Sequence, residues 1–293
     1  MDGAKEIYAT RKRRMKRTVR LALLAVTIII VYGLGKTAWL ARELRTATAF
    51  SVREGIHVDR RLEAPEFAAL GTTLPDFAVT DDGSFVLSNG TALYELGTNG
   101  ASEHRVDGAS LDSFTVDADG TVLTIAGGFL GRLDAADRPV EAVPMPFAVA
   151  RLAPGVTPGT ALLYGRDTKS SRLYRVYSDG RFEVLLETAA PIVAVAESRA
   201  AVYVATSGAL LRIGGNEAPS ALALEESPVL SIAVLADDAM AFVATRDSVL
   251  VWRGGAMRTL VRGSGGMLRT RDGALYVVDQ PRGIAYVLRV QKA

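Results

Sequence analysis

Two hydrophobic patterns divide the chain. The first is a continuous run over residues 21–35, LALLAVTIIIVYGLG, without a charge in it. Lys36 interrupts, and Thr37-Ala38-Trp39-Leu40-Ala41 continues the apolar character. The stretch 21–41 would rise about 31 Å as a helix, at about 1.5 Å per residue, close to the hydrocarbon thickness of a bilayer. Its β-branched segment, residues 26–31, is a poor helix former in water. In lipid a lone span must satisfy its own backbone hydrogen bonds, and only a helix does so. Lys36 can snorkel to the headgroups, and Tyr32 and Trp39 suit the interfacial belt. The pattern predicts one membrane-spanning helix over 21–41.

The second pattern begins near residue 74. Short apolar strands alternate with turn residues, and no long helical period appears. Six strand starts recur at 84, 121, 160, 201, 240 and 274, spaced by 37, 39, 41, 39 and 34 residues. A near-constant period of this size marks a closed or stacked array. Each repeat opens on a small apolar strand: Phe77-Ala78-Val79, Phe114-Thr115-Val116, Phe147-Ala148-Val149, Val193-Ala194-Val195, Ile232-Ala233-Val234 and Met267-Leu268. A turn follows, with Asp-Gly at Asp82-Gly83, Asp119-Gly120 and Asp272-Gly273. That dipeptide supplies positive φ for a hairpin. Third strands are legible at Leu93-Tyr94-Glu95-Leu96, Leu173-Tyr174-Arg175-Val176, Leu210-Leu211-Arg212-Ile213 and Tyr286-Val287-Leu288-Arg289. One fourth strand is clear, Phe182-Glu183-Val184-Leu185-Leu186 after Ser178-Asp179-Gly180.

Four antiparallel strands per unit of about forty residues is the blade of a β-propeller. The expected fold class is all-β, a six-bladed propeller over 66–293. The last repeat ends after its third strand, so a fourth must come from elsewhere to leave no open edge. Residues 50–61 or 67–70 are free to supply it. A sandwich pair is the rival arrangement, and the constant spacing favours the ring. Residues 42–65 then form a stalk and ring-closing strand.

Charge separates the two regions. Residues 1–20 hold eight bases, among them Arg13, Arg14, Lys16 and Arg17, against Asp2 and Glu6. That local +6, in a chain of formal charge +2, leaves −4 for the rest. A basic cluster beside an apolar run reads as a topology signal rather than a nucleic-acid patch. It places residues 1–20 in the cytoplasm and the C-terminal domain outside, in the periplasm or beyond it. A cleaved signal peptide is the competing reading. Ala47-Thr48-Ala49 would be its cleavage motif, but Arg42, Glu43 and Arg45 intervene. A twin-arginine signal is disfavoured because Met15-Lys16 follows Arg13-Arg14. The chain has no cysteine, so disulfides and thiolate metal sites are excluded.

The unit in Arg271-Asp272-Gly273-Ala274-Leu275-Tyr276-Val277-Val278-Asp279, followed by Gly283-Ile284-Ala285-Tyr286-Val287-Leu288, resembles repeats of the NHL and gluconolactonase-like six-bladed propellers. The resemblance covers residues 74–293 at superfamily level. It implies a ring that serves either as a calcium-dependent lactonase or esterase or as a non-catalytic binding module. Members with one N-terminal span are known there.

Sites in such rings lie where the innermost strands enter the channel. Those entries are Asp76, Asp112-Ser113, Pro146, Pro191, Ser231 and Gly266, so Asp76, Asp112, Ser113 and Ser231 are the candidate ligand-binding residues. Calcium takes six to eight oxygen ligands, and this set falls short even with Asp279 added. No metal, cofactor or catalytic residue is therefore assigned, and Asp76 and Asp112 read as caps on strand-entry turns. His57 and His104 stand in no nucleophile or zinc motif, and no G-x-S-x-G, H-E-x-x-H or P-loop occurs. Asp117-Ala118-Asp119-Gly120 resembles the start of a calcium loop without its downstream Glu, and a β-turn is the simpler use. The expected protein is an anchored scaffold of the cell envelope, with lipid and a protein as partners and no nucleic acid. A calcium-dependent lactonase is the alternative.

Overall fold

The computed structural model describes residues 56–63 and, apart from short stretches between strands, 77–290. Contacts divide the chain into two units, Met1–Ala49 and Phe50–Ala293. The first lies wholly outside the described residues, and with it the expected span and its flank Arg13, Arg14, Lys16, Arg17 and Trp39.

Among the described residues the second unit holds six four-stranded sheets, every pairing antiparallel. The first strand among the described residues is β1 (Ile56–Glu63). Blade 1 is β2 (Phe77–Val79), β3 (Phe85–Ser88), β4 (Ala92–Gly97) and β5 (Gly100–Arg105). Blade 2 is β6 (Leu111–Val116), β7 (Val122–Ala126), β8 (Phe129–Leu133) and β9 (Pro139–Pro144). Blade 3 is β10 (Val149–Pro154), β11 (Thr160–Arg166), β12 (Ser171–Tyr177) and β13 (Phe182–Thr188). Blade 4 is β14 (Ile192–Glu197), β15 (Val202–Thr206), β16 (Ala209–Ile213) and β17 (Ser220–Ala223). Blade 5 is β18 (Ser231–Val234), β19 (Ala241–Ala244), β20 (Ser248–Arg253) and β21 (Ala256–Arg262). Blade 6 is β22 (Met267–Arg271), β23 (Ala274–Asp279) and β24 (Ile284–Val290), with β1 as its outermost strand.

The innermost strands β2, β6, β10, β14, β18 and β22 each touch the next, and β22 returns to β2. The fold is a closed six-bladed β-propeller. The fourth strand of blade 6 comes from the N-terminal side: β1 pairs with β24 from Ile56 opposite Val290 to Glu63 opposite Ile284. A ring closed by both ends of its chain leaves no blade incomplete.

The core is six seams rather than one centre. Six buried apolar clusters occur, and each draws its residues from two adjacent blades. Phe242 of blade 5 and Leu275 of blade 6 share one, and Phe85 of blade 1 and Tyr276 of blade 6 share another. Second strands carry apolar residues on both faces because both faces meet a neighbouring blade. All of β15, β19 and β23 is buried. β13, an outermost strand, is buried at no position.

Each innermost strand runs from one end of the channel, its entry, to the other, its exit, and turns into the second strand there. At the exit, Thr80 and Ser84 flank a three-residue loop closed by Thr80 N–H to Ser84 O at 3.0 Å and Gly83 N–H to Thr80 O at 3.0 Å. The loop after Asp117 is built alike, with Gly83 and Gly120 at φ +78° and +88°. Only Gly takes positive φ in these two loops. At Asp272-Gly273 both residues do, at +49° and +75°.

Candidate functional site

The expected site residues are placed as follows. Asp76 lies outside the described residues. Asp112 is exposed, at a register shift between Leu111 and Ser113 of β6. Ser113 and Ser231 are buried, and both hydroxyls are used between blades. Ser113 Oγ accepts the Leu152 N–H at 3.0 Å, tying blade 2 to blade 3. Ser231 Oγ accepts the Leu268 N–H at 3.1 Å, tying blade 5 to blade 6. Blades 2 and 5 stand opposite each other in a ring of six, so these two serines do not converge. Asp279 is buried at the end of β23. His57 and His104 fall on β1 and β5, the outermost strands of blades 6 and 1.

The blade 3 entry departs from its sequence reading. Its innermost strand is Val149–Pro154, which shares only Val149 with the expected Phe147-Ala148-Val149. Phe147 packs beside Tyr174 in the seam between blades 2 and 3, while Leu152, fully buried, fills that seam from the strand itself. Apolar content alone could not separate the strand from its lead-in.

A cavity of about 200 Å³ opens at the exit end, where the ends of all six innermost strands meet. Val79, Val116, Val195, Ile232 and Val234 supply apolar wall, and Asp81, Asp117, Glu197, Arg269, Arg271 and Asp272 supply charge. Arg271 ends β22 and reaches over two blades. Its Nη1 donates to Val79 O at 2.8 Å and to Asp117 O at 3.2 Å, and its Nη2 pairs with Asp81. Arg269 donates to Leu268 O at 2.9 Å and lies over the Phe77 ring, 5.5 Å from its centroid. Thr270 Oγ1 donates to Val234 O at 2.6 Å.

Asp81, Asp117 and Glu197 here already have partners. Asp117 Oδ1 accepts the amides of Asp119 and Thr121 at 3.1 and 2.9 Å. Burial, and then the neighbouring Asp119, push the Asp117 carboxyl up to about 6, while the Asp117 partner holds Asp119 below the usual range. Glu197 accepts the Val156 N–H at 2.9 Å and pairs with Arg175. Arg175 also reaches Glu183 at 3.4 Å, and the Tyr177 hydroxyl donates to Glu183 at 2.6 Å, along a groove of about 790 Å³ between blades 3 and 4.

Calcium needs six to eight oxygens brought to one point. Among the described residues no three His, Asp or Glu side chains gather as metal ligands would. Sequence reading passed over the exit because it looked only at strand entries. The signal was present: in each repeat residues at the end of the first strand, and in most repeats those just after it, line this cavity.

Fold and site together define a six-bladed propeller with an internally paired channel exit. No family model matches the chain, and no curated protein matches it. Among solved structures it is similar to a gluconolactonase from Xanthomonas campestris, at 12% identity and a TM-score of 0.56 over 74% of this chain and 85% of that one. It is similar at TM-score 0.57 and 10% identity to a chain of the mitotic checkpoint complex, over 80% and 92%. Hydrazine synthase of Kuenenia stuttgartiensis gives 0.56 and 11%, over 73% and 83%. These likenesses show the fold.

Proposed function

We propose that this protein is a non-catalytic binding scaffold, anchored by one N-terminal helix and displaying its propeller outside the cytoplasmic membrane. The observation that carries the reading is the state of the channel carboxylates. Asp81, Asp117 and Glu197 are each held by an arginine or by backbone amides of the ring itself. Groups already paired to one another stiffen a scaffold and are not poised to take a substrate or metal. Binding then falls to the loops, which a rigid ring holds in place. The apolar run 21–41 and the basic flank before it support the anchor and its orientation.

The likeness to a gluconolactonase makes hydrolysis the reading to test against. The full chain, in lipid nanodiscs, is titrated with calcium, followed by thermal denaturation and assayed on lactones and aryl esters. The scaffold reading expects no calcium shift beyond a magnesium control and no turnover. In intact cells, crosslinking is expected to trap the same protein partner reproducibly. A calcium-dependent shift, with hydrolysis lost in Asp112→Ala, would make the protein a lactonase instead.

A further inference from the structure

The Arg271 side chain bonds to both neighbouring exit turns, at Val79, Asp81 and Asp117. The two aspartates it meets, Asp81 through its carboxylate and Asp117 through its backbone carbonyl, differ in one respect. The Asp81 side chain is 68% exposed, whereas Asp117 is 3% exposed. Water screens the Asp81 pairing and hardly reaches the Asp117 carboxylate. A buried carboxylate that loses its proton needs a cation beside it. The charged groups lining the cavity around Asp117 are Asp81 from blade 1, Asp119 from its own turn, Glu197 from blade 4, and Arg269, Arg271 and Asp272 from blade 6. Glu197 is paired with Arg175, and Arg269 is engaged with Leu268 O and the Phe77 ring. Arg271 already touches the Asp117 carbonyl.

We propose that Arg271 is a two-position clamp at the channel exit, held on Asp81 in acid and turned onto the Asp117 carboxylate near neutral pH. In the acid position it ties blades 6, 1 and 2 together. In the neutral position it ties blade 6 to blade 2 and lets go of the Thr80 to Ser84 turn. That turn is also held from β1, where Arg60 Nη2 donates to Gly83 O at 2.7 Å. The strand that closes the ring therefore grips the same loop that the clamp releases. The raised affinity of Asp117 for its proton sets the change near pH 6.

The test is hydrogen exchange on the full chain in nanodiscs at pH 5 and pH 7.5, corrected for the intrinsic rate. Protection of the Gly83 and Ser84 amides is expected to fall about fivefold from the lower to the higher pH, the range of one partly exposed ion pair. Asp117→Asn is expected to abolish that fall and leave both amides protected at both pH values. Asp81→Asn is expected to lower protection at pH 5 and to change nothing at pH 7.5. Equal protection of the wild type at both pH values, or an unchanged pH response in Asp117→Asn, would overturn the clamp. Should Asp117→Asn fold poorly, the Asp81→Asn comparison decides alone: an equal effect at both pH values rejects the proposal.

Discussion

Ser113 and Ser231 each give one buried hydroxyl to a backbone amide on the next blade. Removing such a hydroxyl leaves a buried donor without its acceptor, which costs about 1–3 kcal/mol. Ser113→Ala and Ser231→Ala are each expected to lower stability by that amount in urea denaturation. Asp112→Ala, at an exposed position, is expected to stay within about 0.5 kcal/mol of wild type. Asp117 carries the pH dependence at this scale. Its folded pKa is raised, so the folded chain holds that proton more tightly than the unfolded one. Its contribution is full below the ordinary value of 3.8 and is lost as pH rises to about 6. Asp119 is shifted the other way, so its window lies below 3.8 and does not overlap. Thermal denaturation from pH 4 to 7 is expected to show stability falling across that interval in wild type, and a flatter profile in Asp117→Asn.

At the scale of elements, the order of seams explains which strands were legible. Second strands pack on both faces and read as apolar runs, so all six appear in the pattern of residues 84–277. Outermost strands were harder to read: β5 (GASEHR) carries almost no hydrophobic signal, and β17 (SALA) is only four residues long. Only β13 stood out, through Val184, Leu185 and Leu186. The channel exit was missed for a related reason: Arg271, Asp117 and Glu197 look like ordinary surface charges until the ring brings six strand ends together. β1 is the element on which closure rests. Ile56 is fully buried in the seam between blades 5 and 6, and Leu62 packs in the seam between blades 6 and 1. Ile56→Ala is expected to cost about 2–5 kcal/mol, read by urea denaturation. Gly83→Ala forces an L side chain to φ +78° and brings its Cβ to 3.1 Å from the Tyr276 hydroxyl. A loss of about 1–2 kcal/mol is expected.

For the whole molecule, fold and placement rest on different foundations. The ring follows from repeat spacing and from six seams that leave no unpaired blade. The proposed anchor rests on bilayer physics applied to the apolar run 21–41 and on the charge that precedes it. The absence of cysteine makes the placement directly measurable, since any thiol in the protein is one that was introduced. Two single-cysteine variants, Ala4→Cys in the basic tail and Asp179→Cys on an exposed turn of the ring, are exposed in intact cells to a membrane-impermeant maleimide. Labelling at 179 in intact cells, with labelling at 4 only after lysis, is the expected result. Labelling at 179 only after lysis would contradict an anchored propeller facing outward.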